Sequence, residues 1–511
     1  MTDALRLADL LAALSLSTDL AMGQPPEKAI RACVLATEIA RHLKAPESEV
    51  ACVYYTTLLK HLGCTATLHE EVRLFGPDDT GMRRVAERTD ETDTRELLAF
   101  LRAVGRGSGP DRLVHLTRTV TGRKASGAIF RAICEVATQM ADRLRLGDDV
   151  RGALYETIER WDGKGAPQGL EGEDISLPSR IAEPATQAVI FHRDGGVDAA
   201  LAMMERRSGS WFDPSVVDAF RAVGPKTLQR LDDDDPWEAV IEVEPEPVRT
   251  AEAGRLHEVA EAFADMTDLK TTFTLGHSSG VADLAADGAE RLGLADQASV
   301  RLAALLHDLG RTAVGTGVWE KQGRLSSTEW EQVRLHPYHT ERILARSKAL
   351  EPLARVAAMH HERQDGSGYH RGASAAETPV SARLIGAADA YQAMTQRRPY
   401  REALGADEAA AVLFEQGREG VFDPECVRSV LEAAGRSRPN TRGAWPSGLS
   451  DREVEVLRLV AAGSSNREVA EALVISPRTA EHHVQHIYGK IGASTRAAAA
   501  MFAMQHGLLR D

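Results

Sequence analysis

Leu305-Leu306-His307-Asp308-Leu309-Gly310 is the most informative segment of this 511-residue chain for its fold. The His-Asp pair directly follows the apolar run 302–306, which predicts that both side chains end a core-facing helix. A carboxylate in such a place is costly to bury unless it is paired or bound to a metal ion. Because adjacent residues on a helix point about 100° apart, the aspartate can contact two ions while the histidine contacts one. The stretch therefore predicts a metal site within a helical fold.

A second pair of adjacent polar residues, His360 and His361, ends another apolar helix and repeats this arrangement. The chain adds three further candidate ligands around the two pairs, namely His277, His336 and Asp389. Imidazole and carboxylate groups without thiolate suit iron, manganese, zinc or nickel, and two such ions about 3.5 to 4 Å apart activate water for attack on a phosphodiester. Any one of these histidines alone is more simply explained as a buried residue with its hydrogen bonds formed inside the core. This explanation does not account for the set as a whole. The set indicates metal-assisted hydrolysis.

The order and spacing of these residues over 268–403 closely resemble the HD-GYP family of HD-superfamily phosphohydrolases. The motifs that carry the resemblance are Gly276-His277-Ser278, His307-Asp308, His336-Pro337, His360-His361-Glu362, Asp365-Gly366-Ser367-Gly368-Tyr369 and Arg398-Pro399-Tyr400-Arg401. The resemblance implies an all-helical bundle that hydrolyses cyclic di-GMP, or a related cyclic dinucleotide, at a two- or three-metal centre.

The same resemblance assigns roles to individual residues. It implies that the metal ligands are His277, His307, Asp308, His336, His360, His361 and Asp389. It makes Asp308 and Arg311 the catalytic residues and Arg398 and Arg401 the groups that contact the substrate phosphates. Asp365, Gly366, Gly368 and Tyr369 form the substrate loop by the same comparison.

Four positions depart from the family pattern. Arg311 replaces the usual lysine, and His370 replaces the proline of the name motif. Gln392 stands where the family usually has an aspartate, and Phe273 stands where members with three metals have a glutamate. Because these two changes remove carboxylates, we expect two divalent transition-metal ions, of iron, manganese, zinc or nickel.

Composition excludes several other classes of protein. A formal net charge of -14 argues against a nucleic-acid coat over the whole chain. No apolar run approaches the length of a membrane span and the start of the chain is acidic, so we expect neither anchor nor signal peptide, and no membrane partner. The five scattered cysteines, Cys33, Cys52, Cys64, Cys134 and Cys426, fit a reduced, cytoplasmic protein.

An internal repeat links the first part of the chain to the metal-binding part. Residues 159–165 match 362–368, and residues 58–63 match 305–310. In the first copy Lys60 and His61 match His307 and Asp308, and Thr157, Ile158 and Thr186 match His360, His361 and Asp389. A lysine at a ligand position repels a cation. We predict a degenerate, inactive copy over 1–230, which either senses a ligand or serves as a packing and dimer surface.

Two proline-containing segments separate the predicted domains. Residues 231–250 contain four consecutive aspartates and three prolines, which predicts an acidic, solvated linker. The metal-dependent domain then covers 251–434, and a second linker covers 435–448. The predicted fold is all-α, with two tandem HD-type helical bundles, the first degenerate, and a small helix-turn-helix domain at 449–511.

The last stretch has clear helix caps. Ser450 with Glu453 and Ser465 with Glu468 are capping boxes, and Ser476 precedes a proline at the first helical position. Two short helices followed by a helix with a polar outer face describe a helix-turn-helix. The segments 449–457, 463–470 and 476–479 closely resemble the LuxR-type DNA-binding domain.

This second resemblance implies that residues 478–489 enter the major groove of double-stranded DNA. It places Glu481, His482 and Gln485 at base-reading positions and Ser476, Arg478, Thr479, Lys490 and Arg496 where they could hold phosphates. Seven basic residues in 449–511 are offset by seven acidic ones, so binding should depend on specific contacts and on dimerisation. We therefore expect a homodimer.

Two functions of different classes follow from the sequence. In the first, the protein is a metal-dependent cyclic-dinucleotide phosphodiesterase coupled to a DNA-binding transcription regulator. In the second, it is a transcription regulator whose metal-containing bundle senses a nucleotide with little or no hydrolysis. A complete ligand set favours hydrolysis, whereas Arg311, His370 and Gln392 favour divergence from it.

Overall fold

The computed structural model of the chain describes residues 5–106, 108–121, 123–251, 253–435 and 445–509. Helices dominate these residues, and the strands in the described part are the short antiparallel pair β1 (Leu5–Arg6) and β2 (Thr250–Ala251). The all-α prediction is confirmed. Contacts divide the chain into two compact units, Met1–Glu258 and Val259–Asp511. In the described part of the chain, no helix is both long enough and apolar enough to span a membrane.

The first unit is a helical bundle with one large apolar core. Its helices are α1 (Leu7–Ala21), α2 (Lys28–His42), α3 (Glu47–Leu59), α4 (Leu68–Phe75), α5 (Asp79–Ala86), α6 (Thr94–Ala103), α7 (Arg112–Thr121), α8 (Arg123–Arg143), α9 (Asp148–Glu156), α10 (Leu177–Arg207), α11 (Pro214–Asp233) and α12 (Pro236–Glu242). Leu35 and Ile39 lie one turn apart on α2 and pack in the core with Val53, Ile181 and Phe220. Apolar residues at helical spacing thus hold α2, α3, α10 and α11 together.

Residues 231–250 pack into the first unit, whereas the sequence predicts a solvated linker there. The Val240 carbonyl accepts a hydrogen bond of 3.0 Å from the Tyr54 hydroxyl, and the Glu244 carboxylate accepts one of 3.1 Å from Tyr55. The linker prediction is wrong because charge and proline content hide the helical spacing of the buried residues 239, 240 and 243. Of the second predicted linker, residues 436–444 lie outside the described residues.

Equivalent interactions recur inside each unit. Asp19 accepts a hydrogen bond from the backbone N–H ten residues later, at Ala29, and Asp268 accepts one from Ser278, again ten residues later. Arg180 pairs with Asp213 at 2.9 Å in the first unit, and Arg383 pairs with Asp423 at 2.5 Å in the second. These matched contacts agree with the repeat in the sequence and place Lys28 where the second unit has His277.

In the first unit, the side chains at the ligand positions pair with one another. Lys28 contacts the Glu87 carboxylate at 2.6 Å, and His61 contacts the same carboxylate at 3.0 Å. Lys60 pairs with Glu183. Burial, together with the charge of Lys28, lowers the pKa of His61 to about 3. Ammonium groups and their carboxylate partners therefore fill the space that corresponds to the metal site.

The second unit contains a helical bundle followed by a small C-terminal domain. Its bundle helices begin with α13 (Ala253–Asp268), whose first residues are counted with the first unit. They continue with α14 (His277–Arg291), α15 (Gln297–Leu306), α16 (Thr316–Trp319), α17 (Ser327–Arg334), α18 (His336–Leu344), α19 (Glu351–Ala358), α20 (Val380–Met394), α21 (Ala406–Arg418) and α22 (Pro424–Ala434). Gly310 follows α15, and a Cβ there would lie 2.0 Å from the His336 carbonyl oxygen. Glycine at this position therefore allows the end of α15 to contact the start of α18.

The C-terminal domain consists of α23 (Asp451–Ala461), α24 (Asn466–Leu473), α25 (Pro477–Ile491) and α26 (Arg496–Gln505). The two predicted capping boxes, Ser450 with Glu453 and Ser465 with Glu468, are both present. The Ser476 hydroxyl accepts a hydrogen bond of 3.1 Å from the Thr479 N–H and caps α25. The predicted helix-turn-helix is thus formed by α24 and α25.

Candidate metal centre

Seven side chains that the sequence singles out converge at one place in the second unit. They form two groups, and within each group the potential ligand atoms lie within 4.8 Å of one another. The first group is Asp308, His336, His360 and His361, and the second is His277, His307 and Asp389. All are buried except His361, which is partly buried. The starts of α14 and α18, the ends of α15 and α19, and the middle of α20 supply these residues.

Three of the histidines are oriented by their own helix turns. The Nδ1 atoms of His307, His336 and His360 lie 2.6, 2.6 and 2.7 Å from the carbonyl oxygens three residues earlier. Because a carbonyl oxygen can only accept, Nδ1 carries the hydrogen in each ring and Nε2 presents its lone pair. The helix geometry thus selects the tautomer in which Nε2 is free to bind a metal.

The two carboxylates lie between the two groups of ligands. Asp308 Oδ1 lies 3.3 Å from His336 Nε2, and its Oδ2 lies 3.4 Å from His307 Nε2. Asp389 Oδ1 lies 3.1 Å from His277 Nε2, and its Oδ2 lies 3.7 Å from His361 Nδ1. Each aspartate therefore has one carboxylate oxygen beside each ligand group.

Burial and charge hold the side chains in the protonation states that bind metals. Burial, with His307 nearby, lowers the pKa of His360 to about 3, and burial next to His360 holds the pKa of His361 well below its ordinary value. Burial alone would raise the pKa of Asp308, but the His307 imidazole and the Arg311 guanidinium outweigh it, and this pKa lies well below its ordinary value. Neutral imidazoles and ionised carboxylates are the ligand forms.

The donor set fits divalent ions. His336 Nε2 and His360 Nε2 lie 3.3 Å apart, and with both hydrogens on Nδ1 two lone pairs face each other there. His307 Nε2 is buried and has no hydrogen-bond partner. Buried acceptor atoms in such an arrangement are unfavourable unless a cation lies between them.

Arg311 contacts both the site and a neighbouring ring. Its Nη1 donates to Asp308 Oδ2 at 2.8 Å, and its guanidinium carbon lies 4.1 Å from the centroid of Trp319. The Trp319 indole N–H donates in turn to the Arg311 carbonyl at 3.3 Å. Arg311 therefore holds Asp308 ionised and is itself held by Trp319.

The two arginines predicted to contact phosphate differ in their surroundings. Arg398 lies beside the site, where it donates to the Phe273 carbonyl and, at 3.3 Å, to the Gln396 amide oxygen. Burial and the nearby Arg311 lower its pKa to about 10, so it is charged at neutral pH. Arg401 donates to the carbonyls of Ala393 and Met394 at 2.6 and 3.0 Å, and thus holds the chain after α20 in place.

The glycine-rich loop places an aromatic ring against the site. Asp365 accepts a hydrogen bond of 2.9 Å from the Ser367 N–H, and Gly366 has a φ of +77°. A Cβ on Gly368 would lie 2.6 Å from the Glu362 Cα, so the loop passes close to the segment that follows α19 only with glycine here. Tyr369 stacks on His361, with ring centroids 4.2 Å apart.

The four departures from the family pattern are explained in part. Gln392 packs against Gly280, where a Cβ would lie 2.5 Å from its amide carbon, and position 273 carries a phenyl ring. Neither position offers a carboxylate for a third ion. His370 lies near Tyr338, at 6.2 Å between ring centroids. Nothing in the structure explains the histidine at this position.

In the C-terminal domain, the predicted base-reading residues Glu481, His482 and Gln485 are exposed on α25, and so are Ser476, Arg478 and Thr479. Two other predicted phosphate contacts are engaged within the domain. Lys490 Nζ contacts Glu453 Oε2 at 2.7 Å, and Arg496 donates to the Asn466 side chain at 2.8 Å. In this structure these two side chains therefore form contacts within the C-terminal domain.

Sequence reasoning missed three side chains around the centre. Gln396 lies 2.9 Å from His277 Nδ1, Trp319 stacks with Arg311, and Trp330 packs on Tyr369 with ring centroids 5.8 Å apart. A glutamine two residues before Arg398 gives no signal in the sequence, because only the fold brings it to His277.

Known phosphodiesterases resemble the chain, and some of them do so over most of its length. The 3'3'-cGAMP-specific phosphodiesterase 3 of Vibrio cholerae is 31% identical over 436 residues, which are 84% of this chain and 94% of that protein. A crystal structure of a cyclic GMP-AMP-specific phosphodiesterase from V. cholerae aligns with a TM-score of 0.59 and 28% identity, over 86% of this chain and all of that one. The cyclic di-GMP phosphodiesterase response regulator RpfG of Xanthomonas campestris is 36% identical over 188 residues, which are 36% of this chain and 48% of that protein.

Family models match both parts of the chain. The HD domain model matches residues 82–216 and 261–426, so it recognises both copies of the repeat. The model for bacterial regulatory proteins of the luxR family matches residues 447–503. The chain therefore belongs to the HD-domain family, among its HD-GYP phosphohydrolases, and carries a C-terminal luxR-family DNA-binding domain.

Proposed function

We propose that the second unit hydrolyses a cyclic dinucleotide at a two-metal centre and that residues 449–509 bind double-stranded DNA. The observation that carries the proposal is the convergence of two ligand groups that share the carboxylates of Asp308 and Asp389. Arg398 and Arg311 lie beside these groups and supply positive charge for a phosphodiester. In this proposal the metal ligands are the seven residues of the two groups.

Each of these residues has a defined part in the reaction. Two divalent ions bound there would polarise the phosphodiester and lower the pKa of water. Asp308 and Asp389 join the two ligand groups, and Arg311 keeps Asp308 ionised. Arg398 is charged at neutral pH and neutralises phosphate oxygens, whereas Arg401 holds the loop that carries Arg398. The backbone carbonyls behind the histidines keep each Nε2 free of hydrogen.

An aromatic surface beside the centre supports a substrate that contains nucleobases. Tyr369 stacks on His361, and the next ring outward is Trp330, which is 43% exposed. Tyr338, whose ring centroid lies 6.2 Å from that of His370, is 37% exposed. Single-stranded nucleotides are bound by stacking of their bases on such rings. The phosphate-binding arginines and these rings together favour a cyclic dinucleotide over a simple phosphate ester.

The names of the relatives suggest two candidate substrates for this chain. The V. cholerae relative that covers most of the chain is named for 3'3'-cGAMP, and the Xanthomonas relative is named for cyclic di-GMP. Both compounds are purine cyclic dinucleotides, and the site offers the same phosphate-binding groups to each. We propose this substrate class for the chain and distinguish its members by experiment.

The DNA-binding part of the proposal depends on the exposed face of α25. Glu481, His482 and Gln485 would read base edges there, and Arg478, Thr479 and Ser476 would hold phosphates. Binding as a homodimer to paired half-sites is part of the proposal, because the domain carries no net positive charge to give strong non-specific affinity. We also propose a cytoplasmic location, because the proposed partner is DNA.

One observation favours a second candidate function, in which the bundle senses the nucleotide and hardly hydrolyses it. Arg311 already donates to Asp308 and stacks on Trp319. A guanidinium held in this way is less available to a phosphate than the usual lysine ammonium. In this alternative, nucleotide binding alone would change the affinity for DNA.

The test is hydrolysis of cyclic di-GMP and 3'3'-cGAMP by the full chain loaded with manganese or iron, beside an Asp308→Ala variant with metal content measured on both. Turnover by the parent that disappears together with metal in the variant supports the phosphodiesterase. Stoichiometric metal and nucleotide binding without turnover supports the sensor. A parent that binds neither would contradict both.

A further inference from the structure

His277 differs from the other centre histidines in how its outer nitrogen is held. His307, His336 and His360 each donate from Nδ1 to the carbonyl three residues earlier. His277 is the first residue of α14, and the carbonyl three residues before it, at Thr274, accepts the His277 backbone N–H at 2.9 Å instead. A side chain from the segment after α20 supplies the missing acceptor: Gln396 Oε1 lies 2.9 Å from His277 Nδ1.

Arg398 identifies the Gln396 atom as oxygen. Arg398 Nη2 lies 3.3 Å from the same amide atom, and a guanidinium can only donate hydrogen bonds. The atom must therefore accept, which requires the amide oxygen. His277 Nδ1 must then be the donor, and this leaves His277 Nε2, 3.1 Å from Asp389 Oδ1, to bind an ion that would lie between these two atoms. One oxygen thus accepts from a candidate metal ligand and from a candidate phosphate-binding arginine.

We infer that Gln396 is a positioning residue that fixes the tautomer of His277 and the orientation of Arg398, and so couples one of the two metal positions to substrate phosphate binding. The inference rests on the proposed function for the identity of the two sites. Groups that hydrogen-bond the outer nitrogen of a metal-binding histidine typically change metal affinity by about 10- to 100-fold when they are removed. The loss of metal affinity should occur at the group that contains His277, His307 and Asp389, because the histidine that Gln396 contacts belongs to this group.

The experiment measures Mn²⁺ binding to the metal-free full chain by isothermal titration calorimetry. Gln396→Met keeps the length of the side chain and removes the acceptor, whereas Gln396→Glu keeps an acceptor for both partners. Gln416→Met, on α21, is the matched control for a partly buried glutamine. In Gln396→Met we expect one binding step to weaken by about 10- to 100-fold while the other is unchanged, and Gln396→Glu to retain both.

A second measurement tests the contact with Arg398 without any turnover. Cyclic di-GMP binding to the metal-free chain is compared for Gln396→Met, Arg398→Ala and the double variant. We expect Gln396→Met to weaken binding, and the double variant to bind no more weakly than Arg398→Ala, because both changes remove the same oriented guanidinium.

Three results would overturn the inference. Gln396→Met could weaken both metal-binding steps equally, or it could bind metal like the control Gln416→Met. Gln396→Glu could also lose the metal-binding step that Gln396→Met weakens. The proposed function fails independently of these results. A parent chain that shows two metal steps, loses one in Gln396→Met and yet hydrolyses no cyclic dinucleotide would support the inference and contradict the phosphodiesterase. A parent that binds no Mn²⁺ would overturn both.

Discussion

Asp308 and His336 meet at 3.3 Å between Oδ1 and Nε2, while the other oxygen of Asp308 lies 3.4 Å from His307, in the second group. A single carboxylate therefore contacts both ligand groups. We expect Asp308→Asn to weaken both metal-binding steps and to abolish hydrolysis, because the amide has one acceptor where the carboxylate has two. His336→Gln should weaken mainly one step. Metal content and titration calorimetry on both variants provide the check, and equal effects of the two changes would contradict this division.

The first unit should bind no metal, because Lys28 and Lys60 occupy positions that correspond to ligands and are paired with Glu87 and Glu183. Lys60→Met leaves Glu183 with its charge uncompensated in a largely buried place. We expect this change to lower the free energy of unfolding of the first unit by about 3–5 kcal/mol without altering the metal content of the chain.

The matched control is the double variant Lys60→Met/Glu183→Gln, which should recover much of that loss because no buried charge remains unpaired. Calorimetric unfolding gives the stability, and atomic absorption gives the metal content. A change of metal content in Lys60→Met, in either direction, would contradict this expectation.

Exposed residues of α25 should control DNA binding without affecting the metal centre. Gln485→Ala should cost about 1–3 kcal/mol at its cognate base pair, and Arg478→Ala should weaken binding to all sequences and reduce the salt slope by about 1. The measurements are fluorescence anisotropy at several salt concentrations, with hydrolysis assayed in parallel. Arg418→Ala, an exposed arginine on α21, is the control and should change neither the affinity nor the slope.

Glu453 should make the C-terminal domain sensitive to acid. Burial opposes ionisation of this carboxylate, but hydrogen bonds from Lys490, the Ser450 backbone and His486 outweigh it and lower its pKa to about 2. A lowered folded-state pKa means that the stabilisation is complete above the ordinary value of about 4.5 and is lost as the pH falls towards 2.

We expect Glu453→Gln to lower the local stability of α23 by about 1–3 kcal/mol at pH 7, because Lys490 and His486 lose a charged partner. The difference in stability from the parent should shrink as the pH falls from about 4.5 towards 2, because Glu453 then becomes protonated in the parent. Hydrogen–deuterium exchange of α23 measures this difference. A difference that grows between pH 4.5 and 2 would contradict the assignment.

Val474 links α24 to α25 in a left-handed conformation, with a φ of +54°, and is 91% exposed. This conformation is unfavourable for a β-branched residue, and little apolar burial offsets the strain. Val474→Asn should therefore stabilise the domain by about 1 kcal/mol, measured as a rise in its unfolding temperature. An unchanged or lower temperature would show that the valine packs against something in solution.

Much of this architecture follows from the sequence because its signals are local. Apolar residues at helical spacing before His307 and His360 predict that these ligands end core-facing helices, as they do at α15 and α19. The Ser450 and Ser465 capping boxes likewise depend on residues three positions apart. A composition rule failed at 231–250, because four aspartates and three prolines obscured the buried face of a short helix.

Short stretches of the chain already identify the candidate residues: the order of histidines and aspartates, the glycine-rich loop and the helix-turn-helix are each read from local sequence. Tertiary structure alone decided how they act together. The division of the ligands between two groups, the double contacts of Asp308 and Asp389 and the link from His277 through Gln396 to Arg398 join residues up to 119 positions apart in sequence. Such contacts depend on how helices pack, and helix packing is set by the whole core and not by any one segment.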